Sequence, residues 1–312
     1  MTVGIAVSGP NAGRAAWRAL RAVEAVGRGA VGGFASFVVL TAGGEVLRAE
    51  TQRGGGAALW DGAGPPETVA AAPLAGLMSS GPDRPEPLSA FAAADPAAGI
   101  VTGHRLPILP GPDGVAPIRA ALNRLAAGTD PETAVAEALA PDPDGDAGLI
   151  ALTRDGRIAL AETEAVAARD DRGSALVRDA ATGLSVGVLH NSIFPHAALA
   201  ALAVSAAVDA VFPRDAFDAR APLAGLAVAA GPRRREVDAA GRAVALWAPA
   251  EGWRGAAWEG SPVRRGAPVT RAGRIVGRVT GECYALARGG VVVGARGEAA
   301  VRWRWLAAEA AA

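Results

Sequence analysis

The chain has 312 residues, is 51% hydrophobic and 20% charged, and balances 31 basic against 31 acidic side chains. That is ample apolar material for a large core plus a small one, with no net charge to favour nucleic acid or an anionic membrane, so neither partner is expected. Every basic side chain is Arg or one of three His; without a lysine, Schiff-base chemistry, a phosphate-loop lysine and a lipoyl or biotinyl swinging arm are all excluded.

The single Cys283 excludes an internal disulfide and a cysteine-rich metal site, which fits a reducing compartment and a cytoplasmic location. The opening MTVGIAV reads as a strand rather than a secretion signal, and no stretch approaches the roughly 18 apolar residues of a membrane span.

Three stretches, 3–53, 98–166 and 186–246, share one pattern. Each opens with a short apolar strand entering a polar loop: VGIAVSGPN, AGIVTGHR and SVGVLHNS. Each continues in a helical pattern and closes in a hairpin: VVLTAGGEVLRAE, IALTRDGRIALAE and REVDAAGRAVALW. One such unit cannot bury its own apolar faces. The expected fold is therefore α/β, with a domain over 1–245 built from three β-α-β-β repeats in a pseudo-threefold or layered arrangement, whose polar loops converge.

In the first repeat, strand Val3 to Val7 turns through Ser8-Gly9-Pro10 into a helix with Asn11 as N-cap; Trp17, Leu20, Val23 and Val26 recur at helical spacing. Ala42-Gly43-Gly44 marks the hairpin turn that follows. The insertion 54–97, dense in Pro and Gly, predicts irregular surface structure with one short helix from Thr68 to Met78. In the second repeat the strand Gly99 to Thr102 leads to a loop at Gly103-His104-Arg105, then helices over 116–127 and Pro131 to Leu139, the second with Thr129 or Asp130 as cap and Pro131 beside it. In the third, strand Leu184 to Leu189 leads to the loop His190-Asn191-Ser192, a helix from Pro195 to Val211, and a hairpin turning at Asp238 to Gly241.

From about Leu246 helical periodicity vanishes, which places a small all-β domain over 246–312. Its pattern Val263-x-x-Gly266-x-x-Val269, Gly273-x-Ile275-x-Gly277-x-Val279 and Gly289-Gly290-Val291-Val292-Val293, with Ala248-Pro249-x-x-Gly252 in front, resembles the barrel-sandwich hybrid domain of succinylglutamate desuccinylase and aspartoacylase-type proteins. The resemblance implies a covering or oligomerising barrel, and through it a homo-oligomer. The zinc signature of those deacylases is missing from residues 1–245, so their metal chemistry is not carried over. Trp303 and Trp305 alternating with Arg302 and Arg304 predict a strand with one apolar face.

The converging loops are the leading site. Ser8, His104, His190 and Ser192 are the candidate catalytic residues, because a His beside a hydroxyl is the pairing that general-base activation of a nucleophile requires. Asn11, Arg14, Arg53, Arg105 and Asn191 are the candidate substrate-binding residues, the arginines suiting a carboxylate or phosphate. Glu50 to Gly56 forms either a backbone anion nest with Arg53 or a flexible exit, Met78 to Arg84 gathers hydroxyls, an acid and an Arg in one loop but reads as solvated, and Arg233-Arg234-Arg235 reads as a solvated charge run. The His spacing is wrong for a metal, and no metal or cofactor is expected.

A second reading starts from Met1-Thr2-Val3-Gly4. Thr-Val-Gly at the head of a strand resembles the nucleophile strand of isoaspartyl-peptidase-type N-terminal nucleophile hydrolases, and DAGLIALTRDGRIALAET resembles the strand pair that follows it. The resemblance implies Thr2, freed by removal of Met1, as nucleophile and its α-amine as base. In this chain the hairpin belongs to the second repeat, where Ala147 stands in the nucleophile's place. The threefold arrangement is also similar to that of ring-opening amidohydrolases such as cyanuric acid hydrolase, which rely on Ser-Lys pairs. The functional expectation is a cytoplasmic hydrolase acting on an amide or related carbonyl compound with an anionic small-molecule substrate; the competing class is a metabolite-binding or assembly protein.

Overall fold

The computed structural model describes residues 1–179, 182–211, 219–249, 255–296 and 299–305, in two compact units, Met1–Val211 and Phe212–Ala312. In unit 1, β1 (Thr2–Ser8), α1 (Ala12–Val26), β2 (Ala35–Leu40) and β3 (Val46–Thr51) are followed by the short helices α2 (Gly55–Ala58) and α3 (Glu67–Ala70). Next come β4 (Leu74–Ser80), a 3-10 turn at Leu88–Phe91, β5 (Ala93–Asp95), β6 (Gly99–Arg105), α4 (Pro117–Ala126) and α5 (Pro131–Leu139). The unit closes with β7 (Ala147–Thr153), β8 (Ile158–Glu162), α6 (Glu164–Ala167), β9 (Arg172–Asp179), β10 (Leu184–Asn191) and α7 (His196–Val211).

These elements stack in four layers. One sheet has the order β3-β2-β4-β1-β10-β9 and the other β5-β6-β7-β8, with every neighbour antiparallel. Val3, Ile5 and Val7 of β1 pack outward with Leu20 and Val23 of α1 and Leu199 and Ala203 of α7. Ala6, Val38 and Leu189 face the other way and meet Ile100, Ile150, Leu152 and Ile158 of the second sheet. That sheet's far side, Val101, Leu149 and Ala151, is covered by Ile118 and Leu122 of α4 and Val135 and Leu139 of α5. Burial on both faces is why β1, β2, β4 and β7 are continuous apolar runs rather than alternating ones. No described helix is long and apolar enough to cross a membrane.

Asp130 caps α5 by accepting from the Thr133 backbone N–H, with Pro131 at the first helical position, as the Thr-Asp-Pro-Glu pattern predicts. Other expectations are revised. The insertion 54–97 contains β4, a wholly buried strand inserted between β1 and β2, where an irregular loop and a helix from Thr68 to Met78 were predicted. The run LAGLMSS is apolar, short and without alternation, a pattern that periodicity alone assigns to neither state. Of the three stretches, the first supplies strands to one sheet and the second supplies β6, β7 and β8 of the other, whose β5 comes from the insertion, while β10 of the third joins the first sheet. The third hairpin lies in unit 2, and the division expected at 246 falls between 211 and 212.

Unit 2 consists of strands β11 (Ala219–Pro222), β12 (Ala227–Ala230), β13 (Arg234–Val237), β14 (Ala243–Ala248), β15 (Trp258–Val263), β16 (Pro268–Arg271), β17 (Arg274–Val279), β18 (Cys283–Arg288), β19 (Val291–Arg296) and β20 (Ala300–Trp305). They form one nearly closed, barrel-like sheet in the order β11-β20-β17-β16-β13-β14-β12-β19-β18-β15. Leu246, Val269, Val276, Ala285, Val292, Val301 and Trp303 fill its interior. Gly252 of the Ala248-Pro249-x-x-Gly252 pattern and the side chain of Trp305 lie outside the described residues. Arg235 is not the solvated charge predicted: it is fully buried, with its guanidinium 4.8 Å from the Trp303 ring, and burial lowers its pKa to about 10.

Candidate active site

Strand alternation decides which polar groups meet. Thr2, Gly4, Ala6 and Ser8 of β1 face the second sheet, as Ala6 in the inter-sheet core shows, and β1 extends about 20 Å between its terminal residues at roughly 3.3 Å each. Thr2 and Ser8 therefore sit at opposite ends of the inter-sheet space.

At the Thr2 end, register places Ser80 of β4 and Asn191 of β10 on either side of Thr2, all buried. The second sheet approaches closely here because Gly4 faces Gly103, where a Cβ on Gly4 would stand 2.2 Å from the Gly103 carbonyl oxygen. The Thr2 hydroxyl consequently reaches across the layers: it accepts a 2.6 Å hydrogen bond from the Arg105 backbone N–H and donates one of 2.7 Å to Asn191 Oδ1. Arg105 is aimed by a left-handed conformation, φ 65°, uncommon for a side-chain-bearing residue.

The Asn191 amide is oriented by its surroundings. Its Nδ2 donates to Ser192 Oγ at 3.0 Å, and Ser192 Oγ donates in turn to Asp171 Oδ2 at 2.5 Å. Two hydrogen bonds from Arg169, at 2.8 and 2.6 Å, and the Ser192 hydroxyl hold the Asp171 carboxyl well below the usual range. With Asp171 ionised, the Ser192 proton must point at it, so Asn191 must donate to Ser192 and present its carbonyl to Thr2. The chain of donors runs one way, and it fixes the Thr2 hydroxyl proton on Asn191.

The amino group at Met1 lies in the same neighbourhood. Its pKa is lowered from the ordinary 8.0, first by burial and then by the charges of Arg105 and Arg84, with Arg169 adding to this and Asp171 opposing it. Behind Thr2, His104 is fully buried with Nε2 3.0 Å from Glu162 Oε1, within ion-pair reach but without hydrogen-bond alignment. Glu162 Oε2 meets Arg172 Nη1 at 2.6 Å, and Arg172 is the register partner of Asn191. This pair bridges the two sheets beside the site, and Gly148 leaves the space the His104 ring occupies.

The residues nominated from sequence separate. His104, Arg105, His190 and Asn191 belong to strands rather than loops. Arg105 and Asn191 touch Thr2, and Ser192 joins through Asn191. His190 shares the helix-facing side of β10 with Val186 and Val188, whereas His104 faces inward with Ile100 and Thr102, so the sheet lies between the two histidines. Ser8 is at the far end, where its hydroxyl donates to the Gly156 carbonyl at 2.7 Å and borders an open cleft of 400 Å³ with Arg154, Asp155 and Ser185. Asn11 is left-handed and makes no side-chain cap, and Arg14 is paired with Glu67 at 2.7 Å. Arg53 grips Asp83 through both carboxylate oxygens at 2.7 and 2.8 Å, and the glycines after it receive Glu24, whose Oε1 accepts from the Gly56 N–H at 2.9 Å. The nest therefore already holds an anion of the protein's own.

Sequence reasoning missed Ser80, Arg84, Glu162, Arg169 and Asp171. Ser80 and Arg84 stand in the Met78 to Arg84 segment read as solvated, yet Ser79 and Ser80 end a buried strand. Nothing in the charged run Arg169-Asp170-Asp171-Arg172 distinguishes it from a surface turn.

A family model described as a domain of unknown function (DUF6963) matches residues 2–238. The chain belongs to that family. A second model, also a domain of unknown function (DUF7259), matches residues 225–300, within unit 2. No curated protein and no solved structure shows a significant match to the chain.

Proposed function

We propose that the chain is an amide hydrolase of the N-terminal nucleophile type, in which cleavage of the Met1–Thr2 bond frees Thr2 to act as nucleophile and its α-amine as general base. The observation that carries the reading is the Thr2 hydroxyl itself. It is buried at the head of a central strand, held by a backbone N–H and a side-chain carbonyl, and it adjoins an amino group whose pKa is depressed. The Ser8, His104, His190 and Ser192 set has no comparable juxtaposition.

Each step follows from a group already in place. Burial and the charges of Arg105 and Arg84 lower the pKa of the Met1 amino group, and a Thr2 amine freed one residue further on meets the same surroundings, which favour the unprotonated state a base requires. The hydroxyl turns its proton from Asn191 Oδ1 to the amine, which takes it as Oγ1 bonds to the amide carbonyl carbon; the Arg105 N–H, already directed at Oγ1, favours the oxygen as it loses its proton. The carbon–nitrogen bond breaks, the amine returns the proton to the departing nitrogen, and an ester on Thr2 remains. Water, deprotonated by the same amine, adds to the ester; the bond to Oγ1 breaks, the amine returns the proton to Oγ1, and the acid is released, so that one amide and one water give one acid and one amine.

The barrel-like unit is assigned a covering or assembling role in this reading, and the cytoplasm is its proposed location. Intact mass of the purified protein measures Met1 removal, and a short-quench mass spectrum against an amide panel measures the acyl-ester. Thr2 freed of Met1, with an acyl adduct on the Thr2 peptide, is the expected result. Amide cleavage that continues with Met1 retained, or in Thr2→Ala, overturns the reading.

A further inference from the structure

Three guanidinium groups act on the amine at the chain head, those of Arg105, Arg84 and Arg169. Two are neutralised within the protein: Arg169 grips both oxygens of Asp171, and Arg105 Nε pairs with Asp146. Arg84 differs. Its Nη2 donates to Ser80 Oγ at 2.5 Å, its Nε is buried without a partner, and among the described residues no carboxylate meets it. The acids flanking it in sequence are engaged elsewhere, Asp83 by Arg53 and Glu86 by the Gln52 amide at 3.1 Å.

The loop carrying Arg84 is nonetheless held firmly. The Gln52 side chain closes on both backbone groups of Arg84: Oε1 accepts from its N–H at 2.9 Å, and Nε2 donates to its carbonyl at 2.7 Å. Ser80, where the guanidinium rests, is the register partner of Thr2, on a strand about 4.8 Å away. A fixed, half-buried fork of donors with no counter-charge stands next to the nucleophile. An unpaired guanidinium at partial burial is costly unless something anionic meets it, and the planar fork matches a carboxylate through two parallel hydrogen bonds.

We propose that Arg84 is the substrate-reading residue of the Thr2 site, and that the substrates are amides bearing a free carboxylate a few bonds from the scissile linkage. The proposal rests on the Thr2 reading and narrows it. The carboxylate lies on the β4 side of Thr2, opposite Asn191, with the scissile carbonyl over Oγ1.

The test uses N-acetylglycine, N-acetylaspartate and N-benzoylglycine, each beside its carboxylate methyl ester. Binding is measured by thermal shift on full-length Thr2→Ala, and turnover by amine release from the protein freed of Met1. The acids are expected to raise the melting temperature of Thr2→Ala while the esters do not, because a ligand that binds only the native state stabilises it. The added substitution Arg84→Gln removes the shift, and Arg84→Lys restores part of it by returning the charge without the fork. In turnover the acids are expected to exceed their esters by about 10²-fold in kcat/KM, and Arg84→Gln brings that acid-to-ester ratio to near unity at every pH, separately from any shift of the pH limb that acids and esters share. Acids that bind and depend on Arg84, in a protein whose Thr2 form cleaves nothing, keep this proposal and sink the nucleophile assignment. Thr2-dependent cleavage indifferent to ester or acid, a preference that survives Arg84→Gln, or failure of all three acids to shift Thr2→Ala overturns it.

Discussion

The two ends of β1 carry nearly the same side chain in nearly the same setting. Thr2 is 5% exposed and Ser8 is 6% exposed, both face the second sheet, and they place their hydroxyls at the two ends of the inter-sheet space. What separates them is the partner of the hydroxyl proton. Ser8 gives its proton to the Gly156 carbonyl, a group that never takes it away, and the hydrogen bond ties β1 to the turn between β7 and β8. Thr2 gives its proton to an oriented amide, receives an N–H on its oxygen, and adjoins an amino group whose pKa is lowered by burial and by Arg105 and Arg84. A buried hydroxyl becomes a candidate nucleophile through the charges and donors that surround it, and burial alone does not distinguish the two.

The largest expected difference is in activity. Thr2→Ala removes the proposed nucleophile and is expected to lower the proposed amide cleavage at least about 10³-fold, whereas Ser8→Ala is expected to leave kcat/KM within about twofold. Thr2→Ser keeps the hydroxyl and is expected to keep measurable turnover. Equal losses at the two ends would show that the site is not where β1 begins.

Next comes Asn191→Ala, which removes the acceptor that orients the Thr2 hydroxyl. A loss of about 10²-fold in kcat with a small change in KM is expected, since the interaction belongs to the reacting oxygen rather than to substrate binding. A loss confined to KM would place Asn191 on the substrate instead.

The pH profile separates the ends in a third way. A base works only when unprotonated, so activity rises as pH passes upward through the pKa of the amine; because burial and the charges of Arg105 and Arg84 lower the Met1 amine from its ordinary 8.0, and the Thr2 amine one residue on meets the same surroundings, the rising limb of kcat/KM is expected below pH 8.0. Replacing Arg84 by Gln removes one of the lowering charges and shifts the limb upward. A limb above pH 8.0, or one that moves downward in Arg84→Gln, contradicts the assignment of the base.

How much of this the sequence discloses depends on the range of the interaction. Local chemistry is legible: the Thr-Asp-Pro-Glu start of α5, the Ala-Gly-Gly turn between β2 and β3, and the Asp238 to Gly241 turn all follow from residues within a few positions of one another. Met-Thr-Val-Gly at the head of a strand marks Thr2, and Arg105 and Asn191 stand out as polar residues closing apolar runs. What joins them is register. Asn191 lies 189 positions from Thr2, and Arg105 lies 103 positions away. Their meeting depends on β10 pairing with β1 and on a second sheet pressing against Gly4, neither of which leaves a local trace. The same limit hides β4: its apolar run carries no period, and it becomes a strand because β1 and β2 flank it. Arg235 was misread for a related reason, since three adjacent arginines look solvated until β16 and the Trp303 ring cover one of them.

The smallest effect is the most local. Ser8→Ala deletes one hydrogen bond to the Gly156 carbonyl at the edge of an open cleft, where water can replace the lost donor. The net contribution of such a bond is about 1 kcal/mol, and the carbonyl's access to solvent holds the cost at or below that figure. For a folding unit of this size the loss corresponds to a fall of about 2–4 °C in melting temperature at most, measurable by calorimetry. The equivalent change at Thr2 leaves the Arg105 N–H and the Asn191 carbonyl facing each other across the vacated oxygen. Those two groups complement one another, so Thr2→Ala is expected to destabilise by no more than about 2 kcal/mol while abolishing turnover. A Thr2→Ala variant that loses far more stability than Ser8→Ala would mean that the hydroxyl serves to hold the sheets together, and the contrast between the two ends of β1 would then be structural rather than chemical.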